Sequence, residues 1–250
     1  MAQERASGAD EDPSSALPHE PTVTIRPASA PTRGVALVLH GGRANSFERV
    51  RSRHLSPARM LPFARLLSSW GGPAGLETWT LRNRVRGWNG ALMSPLQDAR
   101  WALERISEQH PGMPVYLLGH SMGGRTALGA AGAPQVRAVV ALAPWLDSSS
   151  SSQPLAGRRV LILHGEADRW TSPAASLRFA QRLQDTADDV RYVRLSGAGH
   201  FMFTKLPVWH ELSVSYLLDC FARDTGAPVQ DKYRRRAAAL LAQPPLSVVL

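Results

Sequence analysis

Hydrophobic and polar positions in this chain follow two rhythms that take turns. Thr22-Val23-Thr24-Ile25 alternates, the pattern of an edge strand with one face in water. Val35-Ala36-Leu37-Val38-Leu39 is apolar without a break, as in a strand buried on both faces. Residues 76–81, 115–118, 136–142, 160–163 and 190–195 also read as strands. Between them the spacing becomes helical. Residues 60–70 place Leu61, Ala64, Leu66, Leu67 and Trp70 in helical register. Residues 95–109 do the same with Leu96, Ala99, Trp101, Leu103 and Ile106, and Pro95 suits a first helical turn. Helices are also predicted over 124–132, 173–183 and 206–221. Strands alternating with helices predict an α/β fold: a mostly parallel, doubly wound sheet with helices on both faces.

The flanks break this rhythm. Residues 1–20 are polar and acidic and contain Pro and Ser, so a flexible tail is expected there. Residues 21–223 form the predicted domain. Residues 224–250 form an extension, with a basic helix-prone stretch over 232–242, a Pro-Pro pair and an apolar tail. The sequence assigns it no role. A length of 250 residues suits one α/β domain. No apolar run is long enough for a membrane span, and the first residues lack a basic-then-apolar secretory pattern. A cytoplasmic protein with no membrane partner is therefore expected.

The lone cysteine, Cys220, excludes an internal disulfide and a Cys-rich metal site, and its apolar neighbours suggest a buried thiol. Net charge is +9, almost all of the positive charge being arginine. The arginines spread along the chain without aromatic interleaving or a binding module, so no nucleic-acid partner is expected. Local anion sites are conceivable at Arg49-Arg51-Arg53 and at Arg234-Arg235-Arg236. The basic loop 43–59 reads first as a solvated surface, and second as a preference for substrates with an anionic group.

Chemistry collects at the carboxyl ends of strands in an open parallel sheet. Four predicted ends carry His40-Gly41-Gly42, Gly119-His120-Ser121-Met122-Gly123, His164-Gly165-Glu166-Ala167-Asp168 and Gly197-Ala198-Gly199-His200. A Gly-x-Ser-x-Gly pentapeptide between strand and helix is the signature of a nucleophile elbow. It predicts a strained backbone at Ser121, with the hydroxyl raised at a helix N-terminus that favours negative charge. Neither Gly41-Gly42 nor Gly123-Gly124 carries the Gly-Lys-Ser/Thr element of a phosphate loop.

Serine, acid and histidine in this chain order resemble the α/β-hydrolase superfamily, over roughly residues 22–222. The resemblance implies Ser121 as nucleophile, His200 as its base and Asp168 as the acid that orients His200. Asp147, after the strand 136–142, is the rival acid. The backbone N–H groups of Gly42 and Met122 would form the oxyanion hole. No metal or organic cofactor is called for. Residues 145–157, including the serine run 148–152, are too few for a helical cap, so little or no cap domain is expected. Arg43, Trp88, Trp145, Trp170, Phe201 and Met202 are the expected substrate wall. His40 and His164 are expected to shape their loops, and His120 to be exposed beside the elbow. Asp98 is expected as a first-turn helix acid.

These readings imply a carboxylesterase-like serine hydrolase acting on a small-molecule ester or thioester. A thioesterase or acyltransferase would use the same residues. A non-catalytic binding protein on the hydrolase fold is the alternative from another class, and the oligomeric state stays open.

Overall fold

The computed structural model describes residues 19–250, so 1–18 of the predicted tail lie outside the described residues. Eight strands form one sheet: β1 (Thr22–Arg26), β2 (Gly34–Leu39), β3 (Leu76–Arg82), β4 (Val115–His120), β5 (Val136–Leu142), β6 (Arg159–Gly165), β7 (Asp189–Leu195) and β8 (Val248–Val249). Their order is β1-β3-β2-β4-β5-β6-β7-β8. Only β1 runs antiparallel to its neighbour. The helices are α1 (Leu55–Gly71), α2 (Ser94–Gln109), α3 (Met122–Ala130), α4 (Pro173–Leu183), α5 (Ser213–Thr225) and α6 (Asp231–Leu241). The predicted doubly wound α/β sheet is present.

Strand alternation divides the core into two layers. Ala36 and Val38 of β2 pack with Met60, Phe63 and Leu67 of α1 and Leu217 of α5. Val35, Leu37 and Leu39 face the other way, onto Ala99, Leu103 and Ile106 of α2 and Ala127 of α3. Both faces are covered, which is why β2 reads as an unbroken apolar run.

The structure departs from the predicted elements in several places. Helix α1 starts before the apolar spacing does. The predicted helix over 206–221 contains a wide π turn, Val208–Leu212, before α5. Strand β8 went unseen because two residues carry no periodicity. Asp98 is not a first-turn acid: α2 begins at Ser94, so it lies beyond the first turn, fully buried, and accepts from the Arg84 backbone N–H at 2.9 Å and from the Arg84 guanidinium. It ties the segment after β3 to α2.

The stretch beyond residue 224 packs on the sheet's α1/α5 face. Ala237 and Leu240 of α6 and Val248 of β8 belong to that core layer. Arg234 binds Asp219 of α5 at 2.8 Å, and Arg236 binds Glu211. Two members of the suspected anion cluster at 234–236 are thus already paired within the chain. No helix among the described residues is long and apolar enough to cross a membrane.

Leu240 is 4% exposed. Leu240→Ala is expected to cost about 2–4 kcal/mol and to lower Tm by roughly 5–15 °C, measurable by thermal denaturation.

Candidate active site

Ser121 joins β4 to α3 with φ 58° and ψ −118°, a conformation that costs a non-glycine residue about 1–3 kcal/mol. The surroundings hold it there. Its N–H donates to the Leu142 carbonyl at 2.9 Å, and its own carbonyl accepts from the N–H groups of Arg125 and Trp145, both at 3.1 Å. The flanking glycines permit the close approach: a Cβ on Gly119 would stand 2.1 Å from the Gly123 carbonyl oxygen, and one on Gly123 would stand 2.5 Å from that of Leu39.

Loops from other strand ends converge on this serine. Ser121 Oγ lies 3.0 Å from His200 Nε2, and His200 Nδ1 lies 2.8 Å from Asp168 Oδ2. Asp168 Oδ1 accepts from the N–H groups of Trp170 at 2.8 Å and Thr171 at 2.9 Å. The Thr171 hydroxyl lies 2.8 Å and His164 Nε2 3.2 Å from Asp168 Oδ2. Burial would raise the Asp168 pKa. The hydrogen bonds from His164, His200, Thr171 and Trp170 outweigh it and hold the carboxyl far below the usual carboxylate range. The rival acid, Asp147, instead pairs with Arg125 at 2.6 Å and bonds Ser149.

Gly41 and Gly42 bring the loop after β2 against the elbow. A Cβ on Gly41 would stand 3.3 Å from Ser121 Cβ, and one on Gly42 would collide with the Arg86 carbonyl oxygen at 2.3 Å and with the Met122 side chain at 2.4 Å. Met122 opens α3, where the first N–H groups of a helix lack intrahelical partners.

His40 and His164 sit in the loop-shaping places expected of them. His40 Nδ1–H donates to the Gly41 carbonyl at 2.6 Å while Nε2 accepts from the Asn83 N–H at 3.2 Å. His164 bridges Ser176, at 2.8 Å, and Asp168. Its reach to the acid was not visible in the sequence. His120 is not exposed: it is 2% accessible, and its Nε2–H donates to the His200 carbonyl at 2.9 Å. The Gly199-His200 turn covers it, a contact that only the folded chain creates.

A cleft of about 390 Å³ opens over Ser121. Of the expected wall, Arg43, Trp145, Trp170 and Phe201 line it, and Ser56, Arg59 and Thr171 join them unforeseen. Trp88 and Met202 do not. Trp88 lies behind Trp145, edge-on at 6.3 Å, with the Arg125 guanidinium over both rings. Met202 is 1% exposed in the α1/α5 core layer. Adjacent residues on a loop point in different directions, so Phe201 reaches the cleft and Met202 the core. Arg59 lies inside α1, away from any strand end, which is why the strand-end argument passed it by.

The family model for serine aminopeptidases of type S33 matches residues 82–158. The model for the prolyl oligopeptidase family matches residues 147–224. No curated protein is similar enough in sequence to match. Among solved structures, the chain resembles an α/β serine hydrolase homologue from Coxiella burnetii at 18% identity, covering 79% of this chain and 91% of that one, with TM-score 0.61. It resembles an α/β serine hydrolase without lid from Xanthomonas campestris at 21% identity, covering 84% and 91%, with TM-score 0.59. The chain has the fold of these α/β serine hydrolases. A third structure of similar fold is a monoacylglycerol lipase from Paleococcus ferrophilus, at 18% identity, covering 81% of this chain and 99% of that one, with TM-score 0.54. In this chain the segment between β5 and β6 forms only the short helical turn Gln153–Leu155, in keeping with the expected absence of a cap.

Burial lowers the pKa of His40 to about 4 and that of His120 to about 3, from an ordinary 6.5. Above 6.5 neither the folded nor the unfolded chain holds these protons. Below it the unfolded chain takes up protons that the folded chain refuses, so stability falls until the folded-state values are reached. At about pH 5, His120→Gln is expected to reduce the proton uptake on unfolding by about one, read from the slope of unfolding free energy against pH.

Proposed function

We propose that this protein hydrolyses carboxylic esters through an acyl-Ser121 intermediate. The observation that carries the reading is the continuous hydrogen-bonded line from Ser121 Oγ through His200 to Asp168. A serine hydroxyl is a weak nucleophile until a base takes its proton. In this reading Ser121 Oγ attacks the ester carbonyl carbon while His200 Nε2 takes the hydroxyl proton. Asp168 keeps the Nδ1–H pointing its way and stabilises the imidazolium. The N–H groups of Gly42 and Met122 receive the oxyanion. His200 then gives its proton to the departing alcohol oxygen as the C–O bond breaks. Water repeats the sequence on the acyl-enzyme and frees Ser121 and the acid.

The matches to the serine aminopeptidase and prolyl oligopeptidase family models favour a second reading, a peptidase, and the first of them an aminopeptidase. The cleft supports the ester reading instead. An aminopeptidase must hold the α-ammonium of its substrate, which calls for a carboxylate. The residues lining this cleft include two arginines and neither Asp nor Glu. The monoacylglycerol lipase among the similar structures points the same way.

Labelling with a fluorophosphonate probe and turnover of p-nitrophenyl esters test this. Ser121→Ala should abolish labelling, and Asp168→Asn should lower kcat by roughly 10³–10⁴-fold. Asp147→Asn should change it less than about tenfold, since that carboxylate faces Arg125. Faster release of p-nitroaniline from aminoacyl substrates than of p-nitrophenol from esters would favour the peptidase.

A further inference from the structure

Beyond the hydrogen-bonded residues, the cleft wall holds two guanidinium groups, Arg43 and Arg59. Neither has a carboxylate within ion-pair distance among the described residues, whereas nearby Arg86 and Arg125 pair with Glu48 and Asp147. Arg59 is positioned by rings instead, its guanidinium 4.9 Å from the centre of Phe201 and 5.7 Å from that of Phe203. Those contacts hold the charge while leaving its planar edge without an acid, and a guanidinium edge matches a carboxylate with two parallel N–H bonds.

The backbone adds to the same pole. Arg59 and Ser56 belong to the first turns of α1, and both line the cleft. That helix has no acid in its first turn, and its cap residue, His54, makes no side-chain capping bond. No acid within the helix itself therefore offsets its positive end where the cleft lies. Partial burial without a counter-charge also lowers the Arg59 pKa, although a guanidinium stays charged at any working pH.

We propose that Arg59, assisted by Arg43, is an anion-binding subsite that makes esters bearing a carboxylate the preferred substrates. This rests on the ester-hydrolase reading above. It gives the chain's positive charge a local use in drawing anionic substrates to the cleft. It also separates Arg59 from the solvated arginines of the loop before α1, such as Arg53, which does not line the cleft.

The test compares kcat/KM for matched pairs. One pair is p-nitrophenyl hydrogen glutarate against p-nitrophenyl butyrate, with the carboxylate on the acyl side. The other is p-acetoxybenzoate against phenyl acetate, with the carboxylate on the alcohol side. The wild type is expected to favour the anionic member of at least one pair by about tenfold or more, the worth of a charge-assisted hydrogen bond. The preference should shrink as salt rises. Arg59→Met should bring the ratio towards one, Arg59→Lys should keep part of it, and Arg53→Met should leave it in place. A wild-type ratio at or below one in both pairs overturns the proposal, and so does a ratio that Arg59→Met and Arg59→Lys leave untouched. Fluorophosphonate labelling of each variant reports an intact fold and nucleophile. Absence of labelling and of all ester turnover in the wild type would count against the hydrolase reading itself.

Discussion

The close approach of β4 and α3 at Ser121 is the constraint on which the rest of the site depends. A backbone with φ 58° and ψ −118° is unfavourable for serine. It persists because both peptide groups of Ser121 are hydrogen-bonded to neighbouring segments, and because side chains are absent where strand and helix nearly touch. One consequence is a hydroxyl presented above the sheet, within reach of a loop from β7. The loop after β2 is also tightly packed there, Gly41 against the elbow and Gly42 against the Arg86 carbonyl and the Met122 side chain.

Electrostatics complete what the geometry begins. Asp168 is buried, yet its carboxylate is surrounded by donors from Trp170, Thr171, His164 and His200. A buried carboxylate stays ionised only when such donors outweigh desolvation. His120 takes the opposite route: buried beside His200 and without an acid partner, it stays neutral and spends its N–H on the His200 carbonyl. One histidine is thereby withheld from titration while supporting the backbone of the other. The cleft above them is walled by Arg43 and Arg59 and by aromatic rings, so the region outside the Ser121–His200–Asp168 line is positive and apolar together.

Much of this arrangement was legible in the chain. Strands buried on both faces announce themselves as apolar runs, and helices covering a sheet keep one apolar stripe, so the α/β architecture follows from periodicity. The elbow was legible because tight packing leaves glycines at fixed spacing around Ser121. Elements with little or no period escaped: β8, with two residues, and the π turn at Val208–Leu212. Asp98 escaped for another reason. Its expected place in a first turn is a local inference from where the helix starts, and its burial against Arg84 is a contact between segments.

The sequence by itself determined the layer order, the strained turn and the set of chemically able residues, because each is a local property that backbone sterics and periodicity write into neighbouring positions. Only the tertiary structure set Asp168 beside His200 and Asp147 beside Arg125, although both follow strands at the same sheet edge. It likewise decided that Phe201 and Arg59 face the cleft while Met202 and Trp88 do not. The direction of a loop side chain is set by what packs against it from distant parts of the chain, and no local pattern records that.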